Sequence, residues 1–356
     1  MSFYIIYILV AIGLFTFVAV FTLFGVYAER KLSAFIQDRL GPTETGKFGS
    51  LQTIADILKM LQKELITPAA ADKVLFMLAP VIIFIAVYLG FAALPWAPDV
   101  IPSKINIGLY YIFAIVSIES LGIIMAGWGS NNKYSILGAM RSVAQIISYE
   151  IPAGFALIAV VMISQTLDLQ QVAMQQGILS QEKVKFLGIW DVTHIGGFLS
   201  WNVFKAPHLI VAFVIYFIAS LAESNRAPFD IPEAESELVS GFHTEYSGLR
   251  FAFVFLAEYS MMLLVSMVAV VLFLGGWNTI LPNIGPIKLA DWTTGIGFGI
   301  LWTLLKALML VGVQMWIRWT LPRLRVDQLM DLCWKVLTPL AFLCMIISGI
   351  WRLWVM

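Results

Sequence analysis

Charge is what this sequence has least of. Of its 356 residues 12% are charged and 60% are hydrophobic, with a net charge of zero. A soluble domain carries about 25% charged residues, so an ordinary water-exposed surface is excluded. Cysteine is nearly as scarce. Cys333 and Cys344 have no CxxC or Cys/His spacing, which argues against a disulfide framework, an iron–sulfur cluster or a zinc site. No glycine-rich phosphate loop precedes a helix, so a nucleotide site is not supported. There is no basic tail to indicate a nucleic-acid partner.

What the chain does have is a succession of long apolar runs. Eight of them, at approximately 3–27, 75–95, 108–128, 137–165, 208–223, 249–275, 295–317 and 335–354, approach the ~20 residues that a helix needs to cross a bilayer. They are too long for barrel strands. The expectation is an all-α integral membrane protein forming a single membrane domain over 1–356. The first run is too long for a signal-peptide core and lacks a positive leader, so it is expected to remain as a helix.

Basic residues orient the spans. One side holds fifteen: Arg30, Lys31, Arg39, Lys47, Lys59, Lys63, Lys73, Lys133, Arg141, Arg226, Arg250, Arg318, Arg323, Arg325 and Lys335. The other holds six: Lys104, Lys183, Lys185, Lys205, Lys288 and Arg352. Lys306 falls within a span. The richer side is expected to be cytoplasmic, with loops 28–74, 129–136, 224–248 and 318–334, and both termini then face the periplasm. The outer segment 166–207 is polar and is expected to carry short surface helices, with His194 and His208 structural or solvated.

The polar residues gather in a few places. From Glu223 to Arg250 there are six carboxylates and two arginines, a net of −4, with Pro228 and Pro232 stiffening the backbone and Phe229 among the charges. Crowded acids beside a membrane lose hydration and repel, so some should hold a proton near neutral pH. Over 49–66 the apolar residues Leu51, Ile54, Leu58, Leu61 and Leu65 recur at helical spacing. Gln52, Asp56, Lys59 and Lys63 take the other face, which predicts an amphipathic helix in the interface plane. Glu119, Glu150 and Glu258 lie inside apolar runs, and Glu223 ends one. An intramembrane carboxylate costs roughly 2.5–3.5 kcal/mol on insertion scales and signals function. A structural alternative pairs Glu150 with Arg141.

Three stretches carry a resemblance. They are Glu29-Arg30-Lys31 followed by Gln37-Asp38-Arg39-Leu40-Gly41-Pro42; Gly49-Ser50-Leu51-Gln52-Thr53-Ile54-Ala55-Asp56-Ile57-Leu58-Lys59; and Pro228-Phe229-Asp230-Ile231-Pro232-Glu233-Ala234-Glu235-Ser236-Glu237-Leu238-Val239-Ser240-Gly241. Over essentially its whole length the chain resembles the NuoH family of membrane subunits in respiratory complex I, the proton-pumping NADH:quinone oxidoreductase. Thr53 stands where that family usually has proline, and the outer segment around 178–205 is longer than usual.

The resemblance implies a subunit that forms much of a quinone chamber, with quinone as substrate. It implies no complete catalytic site on this chain alone, and no flavin, NADH, iron–sulfur centre or metal bound by it. By matching positions, Arg30, Arg39, Asp56, Lys59, Arg226, Phe229 and Asp230 would serve the chamber. Glu119, Glu150, Glu223 and Glu258, fed by Glu233, Glu235 and Glu237, would form a proton path. The implied partners are the peripheral-arm quinone-module subunits, the small and antiporter-like membrane subunits, quinone and the lipid bilayer of a bacterial inner membrane. The alternatives are the membrane anchor of a related hydrogenase and a stand-alone proton-coupled transporter.

Overall fold

The computed structural model of the chain describes residues 3–178, 180, 183–188, 190–231, 238–283 and 288–355. Its main helices are α1 (Phe3–Ile36), α2 (Gln52–Gln62), α3 (Lys73–Gly90), α4 (Gly108–Val116), α5 (Ile118–Gly129), α6 (Lys133–Ser164), α7 (Pro207–Glu223), α8 (Gly248–Phe273), α9 (Ile296–Thr320) and α10 (Thr338–Val355). Among the described residues seven helical stretches are long and apolar enough to cross a membrane, with α4 and α5 together making one of them. The apolar helix α7, expected as an eighth span, is shorter than these seven. The chain is an all-α membrane protein.

The helix ends follow local chemistry. The Asp72 carboxylate accepts from the amides of Val74 at 3.0 Å and Leu75 at 3.3 Å and so starts α3. Asn132 caps α6 through the Tyr134 amide at 3.0 Å. With neither glycine nor proline between Gly25 and Gly41, α1 continues past residue 27 to Ile36. Glu29-Arg30-Lys31 therefore lies on helix rather than in a loop, and these side chains point in different directions around its axis.

The interfacial helix α2 is shorter than 49–66. It is bounded by Gly49 at φ 74° and by extended Lys63. Leu51, Ile54, Leu58, Leu61 and Leu65, in and flanking it, are exposed, as an interface-lying helix requires. Ahead of α10 the chain passes through a short helix, Val326–Asp331, and a π-helical turn, Leu332–Leu337.

Helix α8 is the axis of the bundle. From Tyr259 to Phe273 every residue is buried, the pattern of a helix apolar all round. It packs against α3, α7, α9 and α1, while α6 contacts α5, α7 and α10. Gly138 on α6 permits one close approach. A Cβ there would stand 2.8 Å from Cα of Gly241, so the turn Gly241–His243 lies directly on the helix.

A buried helix end needs partners for its last carbonyls. The segment 166–207 supplies them to α8. It folds as short helices at Leu169–Met174, Gly197–Ser200 and Asn202–Lys205, as expected, plus a two-stranded hairpin pairing Lys185–Phe186 with Trp190–Asp191. Gln176 Nε2 donates to Val271 O at 2.8 Å and Asn202 Nδ2 to Leu272 O at 2.8 Å. Lys306 Nζ, from α9, donates to Leu274 O at 2.7 Å and Asn278 O at 2.9 Å, and sits 4.9 Å from the centre of the Trp201 ring. His208 is structural, bonded to Ser348 at 2.7 Å, and His194 is exposed.

Lys306 is therefore expected to be a cap. Lys306→Met leaves two buried carbonyls without their donor, at about 1–3 kcal/mol each. It should lower the yield of folded protein, whereas Lys306→Gln, which keeps two donors, should retain most of it. Equal yields of the two variants on a native gel would show that capping is not the role.

Candidate functional site

At the other end of the bundle a buried ion cluster joins four elements. Glu29, on α1, is 4% exposed. Its Oε2 accepts from Arg226 Nη1 at 2.7 Å and from the Tyr259 hydroxyl at 2.6 Å. Its Oε1 accepts from Arg318 Nη1. The Arg226 guanidinium lies over the Tyr259 ring at 4.3 Å. Burial works against the charge on Arg226, but Glu29, Tyr259 and Glu258 more than offset it and hold the guanidinium protonated. Glu258 adjoins Tyr259 on α8, so this cluster is where that expected proton-path acid belongs.

Beyond Arg226 the chain is held down residue by residue. Gln145 Nε2, from α6, donates to Ala222 O at 2.8 Å and to Asn225 Oδ1 at 3.3 Å. Phe229 is buried with its ring 5.3 Å from that of Tyr149. The Leu324 amide donates to Pro228 O at 3.1 Å, and Arg323 Nη2 donates to Asp230 Oδ2 at 2.8 Å. The stretch expected to be rigid is thus built into the core up to Ile231. Glu233, Glu235 and Glu237 lie outside the described residues. His243, facing Asp230 and packed between Phe242 and Phe251, has its pKa pushed down from 6.5 to about 4 by burial, against the opposing pull of Asp230.

A cavity of about 260 Å³ lies between α1, α2 and α8. Its walls are almost wholly apolar, with Phe15, Leu23 and Val26 from α1, Ile57 and Met60 from α2, and Phe253 and Leu256 from α8. Phe15 and Ile57 are partly exposed, so it opens toward the apolar surface. Its polar residues are Thr22, Thr53 and the ion pair of Arg30 with Asp56 at 2.5 Å, the latter carboxylate also accepting from Gln52 at 3.1 Å. Glu29 and Arg30, adjacent on α1, thus face opposite sides, one into the ion cluster and one onto the cavity.

Of the seven chamber residues expected, Arg30 and Asp56 line this cavity, whereas Arg226 bonds Glu29 on the side of α1 turned away from it. Phe229 and Asp230 stand apart from it, among α6, the 241–243 turn and the segment after α9. Arg39 and Lys59 are exposed; Arg39 donates to its neighbour Gln37 at 2.7 Å.

The remaining acids meet elsewhere. Glu119 and Glu150 both act electrostatically on Glu223. Glu150, Glu223 and Tyr216 border a cavity of about 30 Å³, closed by Phe113 and Val116 of α4 and by Met261, Leu264 and Val265 of α8. That is room for about one water molecule. Glu150 bonds to the hydroxyl of Ser117, at the break between α4 and α5, and not to Arg141.

Sequence reasoning missed Glu29, Tyr259 and Arg318 as a functional unit. Glu29 was visible within the Glu-Arg-Lys run, but its partners lie 197, 230 and 289 residues away in sequence. Ser117 and Tyr216 carried no signal of their own.

Residues 9–349 match the family model for NADH dehydrogenase. Among curated relatives, the NADH-quinone oxidoreductase H subunit numbered 2 in Cytophaga hutchinsonii is 57% identical over 95% of this chain and 97% of its own length. The corresponding H subunit of Chlorobium luteolum is 54% identical over 95% of this chain and 87% of its own length. That of Bacteroides thetaiotaomicron is 42% identical over 93% of this chain and 86% of its own length.

The low pKa of His243 sets an acid limit. The unfolded chain takes up this proton near 6.5 and the folded chain only near 4. The stabilising contribution is whole above 6.5 and is lost as pH falls from 6.5 to 4, on the order of 3 kcal/mol in all. His243→Gln cannot take up the proton, so its apparent Tm should fall less than that of the parent between pH 6.5 and 4.5. Parallel acid limbs in thermal melts would remove His243 as the cause.

Proposed function

This chain belongs to the NADH dehydrogenase family, as a multi-pass membrane subunit of an NADH-quinone oxidoreductase, and from that premise we propose that it admits quinone from the bilayer and couples its reduction to proton movement. The observation that carries this reading is the cavity between α1, α2 and α8. An isoprenoid quinone is a long apolar tail with a polar ring. Only an apolar opening at the depth of the interface can pass it from lipid into protein, and α2 lies there with its leucines exposed.

In this reading the Arg30–Asp56 pair marks the polar threshold. The pair is partly exposed and its net contribution to stability is only about 0–1 kcal/mol, so it can yield to a passing ring. Arg226, Phe229 and Asp230 form the floor of the loop beyond. Arg39 and Lys59 belong to the exposed surface that other subunits of the oxidoreductase cover, the peripheral-arm subunits among them. The electrons come from a partner in this reading, since two cysteines and three histidines without CxxC or Cys/His spacing do not suggest a redox ligand set. Reduction of a quinone to its quinol consumes two electrons and two protons, and those protons must reach the ring through titratable side chains. Both termini would lie on the outer side of the bacterial inner membrane, with the acidic loop inside.

Proton transfer is assigned to the acids inside the bundle. Glu119 and Glu150 both act electrostatically on Glu223, so a change of charge at one acid is felt by the next. Ser117 has a single hydroxyl proton and two acceptors, Phe113 O at 2.8 Å and Glu150. It can serve Glu150 as donor or receive from it, which is what a relay needs. The cluster of Glu29, Arg226 and Glu258 stands between this trio and the cavity wall, so a change of charge at the quinone reaches the acids through it. The antiporter-like subunits would receive the effect. A hydrogenase anchor or a stand-alone transporter is disfavoured by the relatives, all three of which are named as oxidoreductase subunits.

Filling the cavity tests the entrance. Ala252→Trp, at the α8 wall, should lower quinone reductase activity by roughly tenfold or more while NADH oxidation by a water-soluble acceptor persists. Unchanged quinone kinetics would close this route. For the relay, Glu223→Gln keeps shape but cannot exchange a proton as a carboxyl does. It should assemble and yet lose proton pumping in sealed vesicles, and pumping at the parent rate would exclude Glu223 from the path.

A further inference from the structure

Three polar side chains, Glu150, Glu223 and Tyr216, meet at the cavity of about 30 Å³, and the rest of its wall is apolar. Tyr216 and Glu223 are two turns apart on α7 and so share one face of that helix. Both are buried, and Glu223 acts electrostatically on Tyr216. Glu150 has one oxygen bonded to the Ser117 hydroxyl. Among the described residues none donates to the Glu223 carboxyl. The Tyr216 hydroxyl donates to Val265 O, on α8, at 3.1 Å. A phenol has one proton to give. With that proton committed to α8, the Tyr216 oxygen can only accept on the side of the cavity.

A carboxyl buried without a partner is costly. A buried water is expected where a cavity of this size offers about two to four polar partners, and here there are three. Their parts are unequal. A water molecule has two protons, and the Tyr216 oxygen takes one of them. The second can serve only one carboxylate, so the other acid must be protonated and donate to the water oxygen. With both acids ionised, one would face the lone pairs of the water. Tyr216 thereby fixes the pair at one shared proton. Transfer then balances without a charged water being left behind: the protonated acid gives its proton to the water oxygen as the water gives its second proton to the carboxylate. The bond from water to Tyr216 is unchanged, and the water ends aligned for the reverse step.

We propose that Tyr216 is a positioning residue for proton exchange between Glu150 and Glu223, acting through one water molecule seated among the three side chains. The inference rests on the reading of these acids as a relay and adds what orients the transfer between two of them. Tyr216 itself neither gains nor loses a proton.

The test uses the assembled oxidoreductase in sealed vesicles. Tyr216→Phe removes the hydroxyl and keeps the ring, whose centre lies 6.0 Å from that of Phe273. It should slow proton pumping about tenfold, the effect of one hydrogen bond lost from the transition state. Exchange of water for deuterium oxide should slow this variant by a larger factor than the parent, because proton transfer is then the slow step. A merely structural role would lower the amount of assembled enzyme and leave the isotope factor as it was. Val116→Ile adds one methylene at the cavity wall, leaves the three polar side chains in place, and should reproduce the defect by displacing the water. The double variant should pump no more slowly than the slower single one. Pumping by Tyr216→Phe at the parent rate, an unchanged isotope factor, or losses that multiply in the double variant would each overturn the proposal. Should Tyr216→Phe fail to assemble, Val116→Ile decides, and pumping at the parent rate would reject the water site. Glu223→Gln keeps the two readings apart. Parent-rate pumping there removes the relay itself, whereas a loss there with none in Tyr216→Phe rejects only the role of Tyr216.

Discussion

The carboxylate of Glu29 bonds two arginines, Arg226 buried and Arg318 partly buried, within an apolar bundle. Removing one partner of a buried charged set typically costs about 3–5 kcal/mol, because the others remain buried without compensation. The dependence here goes further than stability. Most of the apolar surface of α1 is exposed, so hydrophobic contact within the chain places that helix less firmly than it places α8. The bonds from Glu29 to Arg226, Tyr259 and Arg318 tie it to the 224–231 stretch, α8 and α9. The cavity exists because α1 is held beside α8 at this point while α2 closes the third side.

The same helix face change explains how two environments lie so close together. Residues adjacent on a helix point about 100° apart, so Glu29 faces the cluster and Arg30 the cavity. A movement of α1 that widened the cavity would pull directly on the Glu29 bonds. The Glu29 cluster and the cavity are thereby mechanically joined through few covalent steps, although their side chains do not touch.

The two ends of α8 solve one problem in opposite ways. At its C-terminal end, orphan carbonyls are met by side-chain donors from Gln176, Asn202 and Lys306. This arrangement meets the carbonyls of the helix end with side-chain donors. Toward the other end the polar groups are carboxylates, arginines and hydroxyls, which can exchange protons.

Much of the architecture was legible in the sequence because a bilayer leaves few choices. Apolar run length sets the helices, and the three- and four-residue spacing of Leu51, Ile54, Leu58 and Leu61 sets α2. Glu119, Glu150, Glu223 and Glu258 stood out as acids in or at the ends of apolar runs. What the sequence alone determined, then, was the inventory: the spans, the interfacial helix, the rigid Pro228 stretch, and which side chains are out of place in lipid. Only the tertiary structure decided their grouping. It separated Glu258, beside Arg226, from the trio of Glu119, Glu150 and Glu223. It set Arg30 and Asp56 on the cavity while leaving Arg39 and Lys59 at the surface. It converted Gln176 and Lys306 into caps. The physical reason is that period and composition report one helix at a time, whereas a buried charge or carbonyl is satisfied by whichever residue another helix brings within about 3 Å, and that choice is made by packing across hundreds of residues of chain.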